Sequence, residues 1–139
     1  MQNKYMLWNF AWIVSIIAML GSLYFSEIRH FVPCELCWFQ RILMYPLTLI
    51  IGVSIFRKEY QLSLYTAILS GIGILTSLYH YSIQKIPFFS SHAPSCGQIS
   101  CTGEYINWLG FITIPFLALI AFVLIFLSSI IVYREFNKK

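Results

Sequence analysis

Cys34 and Cys37 stand two residues apart in the stretch PCELCWFQR, and Arg41 follows the second by four. Residues i and i+3 of a helix lie about 5–6 Å apart, close enough for a disulfide with modest adjustment. Such a pair can open and close without moving the backbone far. Pro33 fits at or near a helix start, where its missing N–H is no loss. Both sulfurs then sit at a helix N-terminus, which favours a thiolate. Arg41 shares the face of Cys37 one turn on, where a guanidinium strengthens that preference and can hold an oxygen acceptor beside the sulfur. The pattern suits thiol redox chemistry beside a cation. A bare CxxC also suits a structural disulfide or a zinc site, and an arginine near the end of a span also suits snorkelling to the interface.

A second pair, Cys96 and Cys101, encloses four residues in the loop QKIPFFSSHAPSCGQISCTGEYINW. Gly, Ser and Pro around it signal turns, so the pair reads either as a static staple or as a disulfide open to exchange with another protein. His80 and Gln84 are one turn apart near the end of an apolar run. They read as satisfied polar residues between helices or as the lining of a pocket with Arg41. His92 reads as a solvated loop residue and Glu104 as a loop charge. His30 and Glu35 flank the first pair and can modulate its thiols.

The elements that must position these groups are membrane spans. Of 139 residues, 59% are hydrophobic and 10% charged, with a mean hydropathy of +0.76. A soluble domain carries about 25% charged residues. Crossing the hydrocarbon core takes about 20 mostly apolar residues, and four runs reach that length: 7–25, 38–56, 62–83 and 109–133. The expected fold is all-α, an integral-membrane antiparallel four-helix bundle forming a single domain over 1–139. The first run is longer than a signal-peptide core and lacks an A-x-A-like site. It is expected to remain as a span, with Trp8, Trp12, Tyr24 and Phe25 as interfacial aromatics. Small pairs in the third run, Ala67 with Gly71 and Gly73 with Ser77, let backbones approach closely. Pro46 and Pro115 fall within spans, as kinks or as tolerated bends. The net charge of +4 is scattered without a basic stripe, which gives nucleic-acid binding no support.

Charge sets the orientation. With the N-terminus inside, the cytoplasmic side carries Lys4, Arg57, Lys58, Arg134, Lys138 and Lys139, against Arg29, Arg41 and Lys85 outside. The positive-inside rule favours that choice. Both termini are then cytoplasmic, and all four cysteines lie in two outer loops, where disulfides persist.

The run CELCWFQRILMYP resembles the CxLC-x-x-x-R signature of DsbB-type thiol–quinone oxidoreductases, and the four spans with two cysteine pairs outside fit the same family. The C-x4-C spacing of Cys96 and Cys101 is similar to the BdbC-like branch of Gram-positive bacteria. The resemblance implies a bacterial cell-membrane enzyme. It implies reoxidation of an extracytoplasmic DsbA-like thioredoxin-fold oxidase, with two electrons passed to a membrane quinone, menaquinone or ubiquinone. By motif, Cys37 corresponds to the thiolate next to the quinone, with Cys34 its partner, and Arg41 to the arginine that contacts the quinone. His80 and Gln84, before Pro87, correspond to weaker quinone-pocket residues. Cys96 corresponds to the residue that forms the mixed disulfide with the partner, and Cys101 to the one that resolves it. No resident metal is expected. Three rivals remain: a four-thiolate zinc or iron–sulfur site, a non-catalytic membrane subunit with two structural disulfides, and a vitamin K epoxide reductase-like enzyme, whose CxxC lies in its last span rather than at the start of the second.

Overall fold

The computed structural model describes residues 2–28, 35–86, 88 and 114–138, with the side chains of residues 25, 35–37, 84, 85, 114 and 115 left aside. Four long helices carry the chain: α1 (Gln2–Leu23), α2 (Glu35–Arg57), α3 (Ser63–Lys85) and α4 (Ile114–Asn137). They run 22, 23, 23 and 24 residues. At 1.5 Å per residue that is about 33–36 Å, enough for a hydrocarbon core of about 30 Å. A π turn, Tyr24–Ile28, extends α1, and a 3₁₀ turn, Tyr60–Leu62, leads into α3. No strand occurs among the described residues. The expected spans fall within or close to these helices, which reach further at several ends. Residues 109–113, counted in the fourth run, and the cysteine-bearing loops lie outside the described residues.

The helices form a ring in chain order, α1 against α2, α2 against α3, α3 against α4 and α4 against α1, with the most extensive contact between α3 and α4. Neighbours are antiparallel. The start of α1 meets the end of α2, where Trp8 Nε1 donates to Ser54 Oγ at 3.1 Å. The start of α2 meets the end of α3, where Gln40 reaches Ser77 and His80. In the α3–α4 pair, Gly73 faces Phe122 and Gly71 faces Phe126.

On α3 burial runs largely opposite to that of a helix in a soluble bundle. Inward positions of α3 include Ser63, Thr66, Ala67, Ser70, Ser77 and His80, with Ile83 the one large apolar side chain fully buried among them, whereas Leu64, Ile68, Ile72 and Leu75 face out. Lipid is as apolar as leucine, so a leucine gains little by turning inward. Association depends instead on close van der Waals packing, which small residues permit. The buried hydroxyls are satisfied at home: Ser70 donates to Thr66 O at 2.7 Å, Ser128 to Leu124 O at 2.8 Å and Ser129 to Ile125 O at 2.7 Å. The larger buried side chains, among them Trp8, Leu47, Ile51, Phe122, Ile125 and Val132, knit α1, α2 and α4 into one core.

Trp8 departs from its expected interfacial place. It is fully buried, because Ser54 gives its indole N–H an acceptor inside the bundle. The same serine donates to Glu59 O at 2.8 Å. Around it α2 ends in a Schellman cap: Glu59 N–H bonds Ser54 O at 3.1 Å, Lys58 N–H bonds Ile55 O at 3.3 Å, and Lys58 holds the left-handed φ of 58° that a glycine more often supplies. The α2–α3 turn is thus locked to itself and to α1. Helix α2 continues through Pro46, while Pro115 occupies the first turn of α4, where a missing N–H costs nothing.

A Cβ added at Gly73 would overlap the Phe122 ring, 2.7 Å from Cζ and nearer still to two other ring carbons, whereas one added at Gly21 meets nothing within 4 Å. Gly73→Ala is therefore expected to destabilise the detergent-solubilised protein by about 1–3 kcal/mol, partly relieved by Phe122→Leu. Gly21→Ala is expected to be neutral or stabilising by up to about 1 kcal/mol. Thermal unfolding of the three variants checks both.

Candidate functional site

Helix α2 is described from Glu35 on, and Cys37 lies in its first described turn. The Cys37 side chain is outside the described structure, as are Cys34, Cys96 and Cys101 in full. One turn on from Cys37, Arg41 is half-buried, and its Nη2 donates to Ser22 O at 3.1 Å. The guanidinium therefore reaches across to the end of α1. Ser22 is the last residue but one of α1, whose π turn begins at Tyr24. Changing from i+4 to i+5 pairing disturbs the carbonyls of the turn before it, and π turns often mark functional sites.

Next to Arg41, Gln40 points the other way. Its Nε2 donates to Ser77 Oγ at 3.3 Å and faces His80 Nδ1 at 3.4 Å. Gln40, Ser77 and His80 are respectively 6%, 0% and 1% exposed, so little water competes for these bonds. Successive residues of α2 thus bind both neighbouring helices at one level: Arg41 holds α1 and Gln40 holds α3. His80 lies at the depth of Arg41, as the antiparallel arrangement of spans two and three leads one to expect. Gln84 follows His80 by one helical turn on α3, with its side chain outside the described residues. Beyond the histidine, Tyr81 packs on Phe116 of α4 with ring centroids 5.6 Å apart, which closes that end of the bundle on its fourth side.

The helix ends differ in charge. Lys4, Arg57, Lys58, Arg134 and Lys138 gather at the end opposite Arg41. Among the described residues no three His, Cys, Asp or Glu side chains cluster as metal ligands do.

Comparison with known proteins agrees with this geometry. Residues 4–132 match the family described as disulfide bond formation protein DsbB. The chain belongs to the DsbB family. Among its relatives, the "Probable disulfide formation protein C" of Halalkalibacterium halodurans is 57% identical over 125 residues, covering 90% of this chain and 91% of that protein. The "Disulfide bond formation protein C" of Bacillus subtilis is 54% identical over 135 residues, covering 97% and 98%. A "Probable disulfide formation protein" of Oceanobacillus iheyensis is 45% identical over 129 residues, covering 92% and 89%. No solved structure matches the chain. The DsbB-family assignment makes the chain a membrane oxidoreductase of the disulfide-forming type, in the branch of the Bacillus C proteins.

Sequence reasoning missed the role of three residues of this site. Gln40 is a polar side chain in an apolar run, three residues after Cys37, and that alone could have singled it out. Ser77 was assigned to close packing only. The Ser22 carbonyl has no side-chain signal at all.

Ser77→Ala removes one acceptor of the buried Gln40 amide. The expected loss is about 1 kcal/mol, read as a lower thermal midpoint with helix content unchanged by circular dichroism.

Proposed function

We propose that this chain is a thiol:quinone oxidoreductase that reoxidises a DsbA-like thioredoxin-fold oxidase on the outer face of the bacterial cell membrane. Both termini are cytoplasmic in this reading, which the positive charge at the end opposite Arg41 supports. The observation that carries it is Arg41, half-buried and tied across to α1, one turn from a cysteine in the first described turn of α2. The donor set suits a quinone head group. A guanidinium with one N–H engaged keeps others for a carbonyl oxygen, and the buried His80 ring lies at the same depth on α3. A bound membrane quinone, menaquinone or ubiquinone, supplies a two-electron acceptor.

The chain's own residues then divide the work. Cys96 takes the partner's thiolate attack and forms the mixed disulfide. Release of the oxidised partner leaves Cys96 and Cys101 as thiols. Exchange with the Cys34–Cys37 disulfide restores the loop pair and reduces the first pair. Cys37, as a thiolate at a helix N-terminus, delivers the electrons. Arg41 would hold a quinone carbonyl oxygen and stabilise negative charge there, with His80 and Gln84 as further contacts. In each cycle two partner thiols become one disulfide, and two electrons and two protons leave with the acceptor.

The test is quinone reduction by purified protein with a reduced thioredoxin-fold partner. Wild type turns over, whereas Cys37→Ser and Cys96→Ser do not, and Cys96→Ser still binds quinone. Turnover by Cys96→Ser would remove the loop pair from the pathway. Arg41→Lys keeps the charge but not the fork, and should lower kcat/KM for quinone about 10–100-fold. Metal analysis of the same preparation should find no stoichiometric zinc or iron, and a chelator should leave turnover intact. A stoichiometric metal would replace the redox reading.

A further inference from the structure

We infer that Gln40 is a positioning residue that fixes the tautomer of His80, keeping the ring proton on Nε2. A carboxamide nitrogen carries two hydrogens and only donates. One of them meets Ser77 Oγ at 3.3 Å and the other is directed at His80 Nδ1, 3.4 Å away. The imidazole nitrogen facing a donor must present its lone pair, so in the neutral ring the proton belongs to the far nitrogen. Burial makes the choice decisive. All three side chains are more than nine-tenths buried, so water does not compete with the amide for the Nδ1 lone pair. Ser77 prevents the amide from swinging away, since it and His80 lie three residues apart on one face of α3 and take the two hydrogens together.

The consequence concerns what His80 can do. With hydrogen on Nε2 the neutral ring can donate a hydrogen bond to a carbonyl oxygen or oxyanion at the depth where Arg41 holds its guanidinium. That bond rests on the proposed quinone reaction, whereas the tautomer does not. Gln40 touches no acceptor in this account and acts only through His80.

The experiment is nitrogen NMR of ring-labelled histidine, recorded at alkaline pH without quinone, in a His30→Gln/His92→Gln background so that only His80 reports. Wild-type residue 40 should give a lone-pair Nδ1 and a protonated Nε2. Gln40→Glu, whose carboxylate accepts rather than donates, should move the proton to Nδ1, and Gln40→Leu should give a mixture of tautomers. A wild-type ring protonated at Nδ1, or a Gln40→Glu spectrum like the wild type, overturns the inference. So does a Gln40→Leu protein that merely melts earlier and keeps the wild-type ring. In the quinone assay, Gln40→Glu should raise the KM for quinone about tenfold, the worth of one hydrogen bond, and leave the KM for the thiol partner unchanged. An unchanged quinone KM with a moved proton would overturn the link from His80 to the acceptor. A wild type with the expected tautomer that reduces no quinone defeats the proposed function and leaves the Gln40–His80 relation standing.

Discussion

In lipid, nothing expels an apolar side chain towards the bundle interior, and the whole architecture follows from that constraint. Helices gain by touching closely or by sharing a polar bond, and this chain does both. At Gly73 the backbone of α3 comes so near α4 that the Phe122 ring occupies the volume of a missing Cβ. The residues with most to gain from leaving lipid are those with hydroxyls, amides and rings bearing N–H. Hence the inner face of α3 is mostly serines, threonine, small residues and one histidine, with Ile83 the large apolar exception, and Leu64, Ile68, Ile72, Leu75 and Leu78 look outward.

The same constraint explains why the site is made of inter-helix bonds. Arg41 and Gln40 are neighbours in sequence but face different helices, one towards α1 and the other towards α3. A side chain that snorkelled would leave the arginine free of protein partners. Here a backbone carbonyl of α1 takes one of its N–H groups, so the position of the cation is set by the fold. Groups that hold the bundle together at this end are also those the proposed reaction sets beside the cysteines.

Much of this could be read in the chain beforehand. The four apolar runs marked the spans because hydrophobic length is a one-dimensional property, and the all-α fold follows from the rule that backbone groups in lipid must pair within their own segment. The spacing of Cys37 and Arg41 placed them on one helical face, and the depth of His80 followed from antiparallel spans. What sequence did not supply was the choice of partners. Whether Gln40 faces lipid, α1 or α3 depends on the rotation of α2 about its axis, which no run of residues encodes. Trp8 looked interfacial by composition, yet is fully buried, because the serine that accepts its indole proton is 46 residues away. The Ser22 carbonyl, belonging to the backbone, has no signature in any alphabet of side chains.

The capped turn between α2 and α3 has a mechanical meaning. Clamped by its own hydrogen bonds and tied to α1 through Ser54, it acts as the base of a pair of tongs whose prongs are the two helices. From Ser54 to Gln40 the prong is about 21 Å long, so each degree of splay at the base moves its tip by roughly 0.4 Å. Small rotations therefore matter most where Gln40 and His80 meet, and the amide grip at that tip limits how far the mouth can gape.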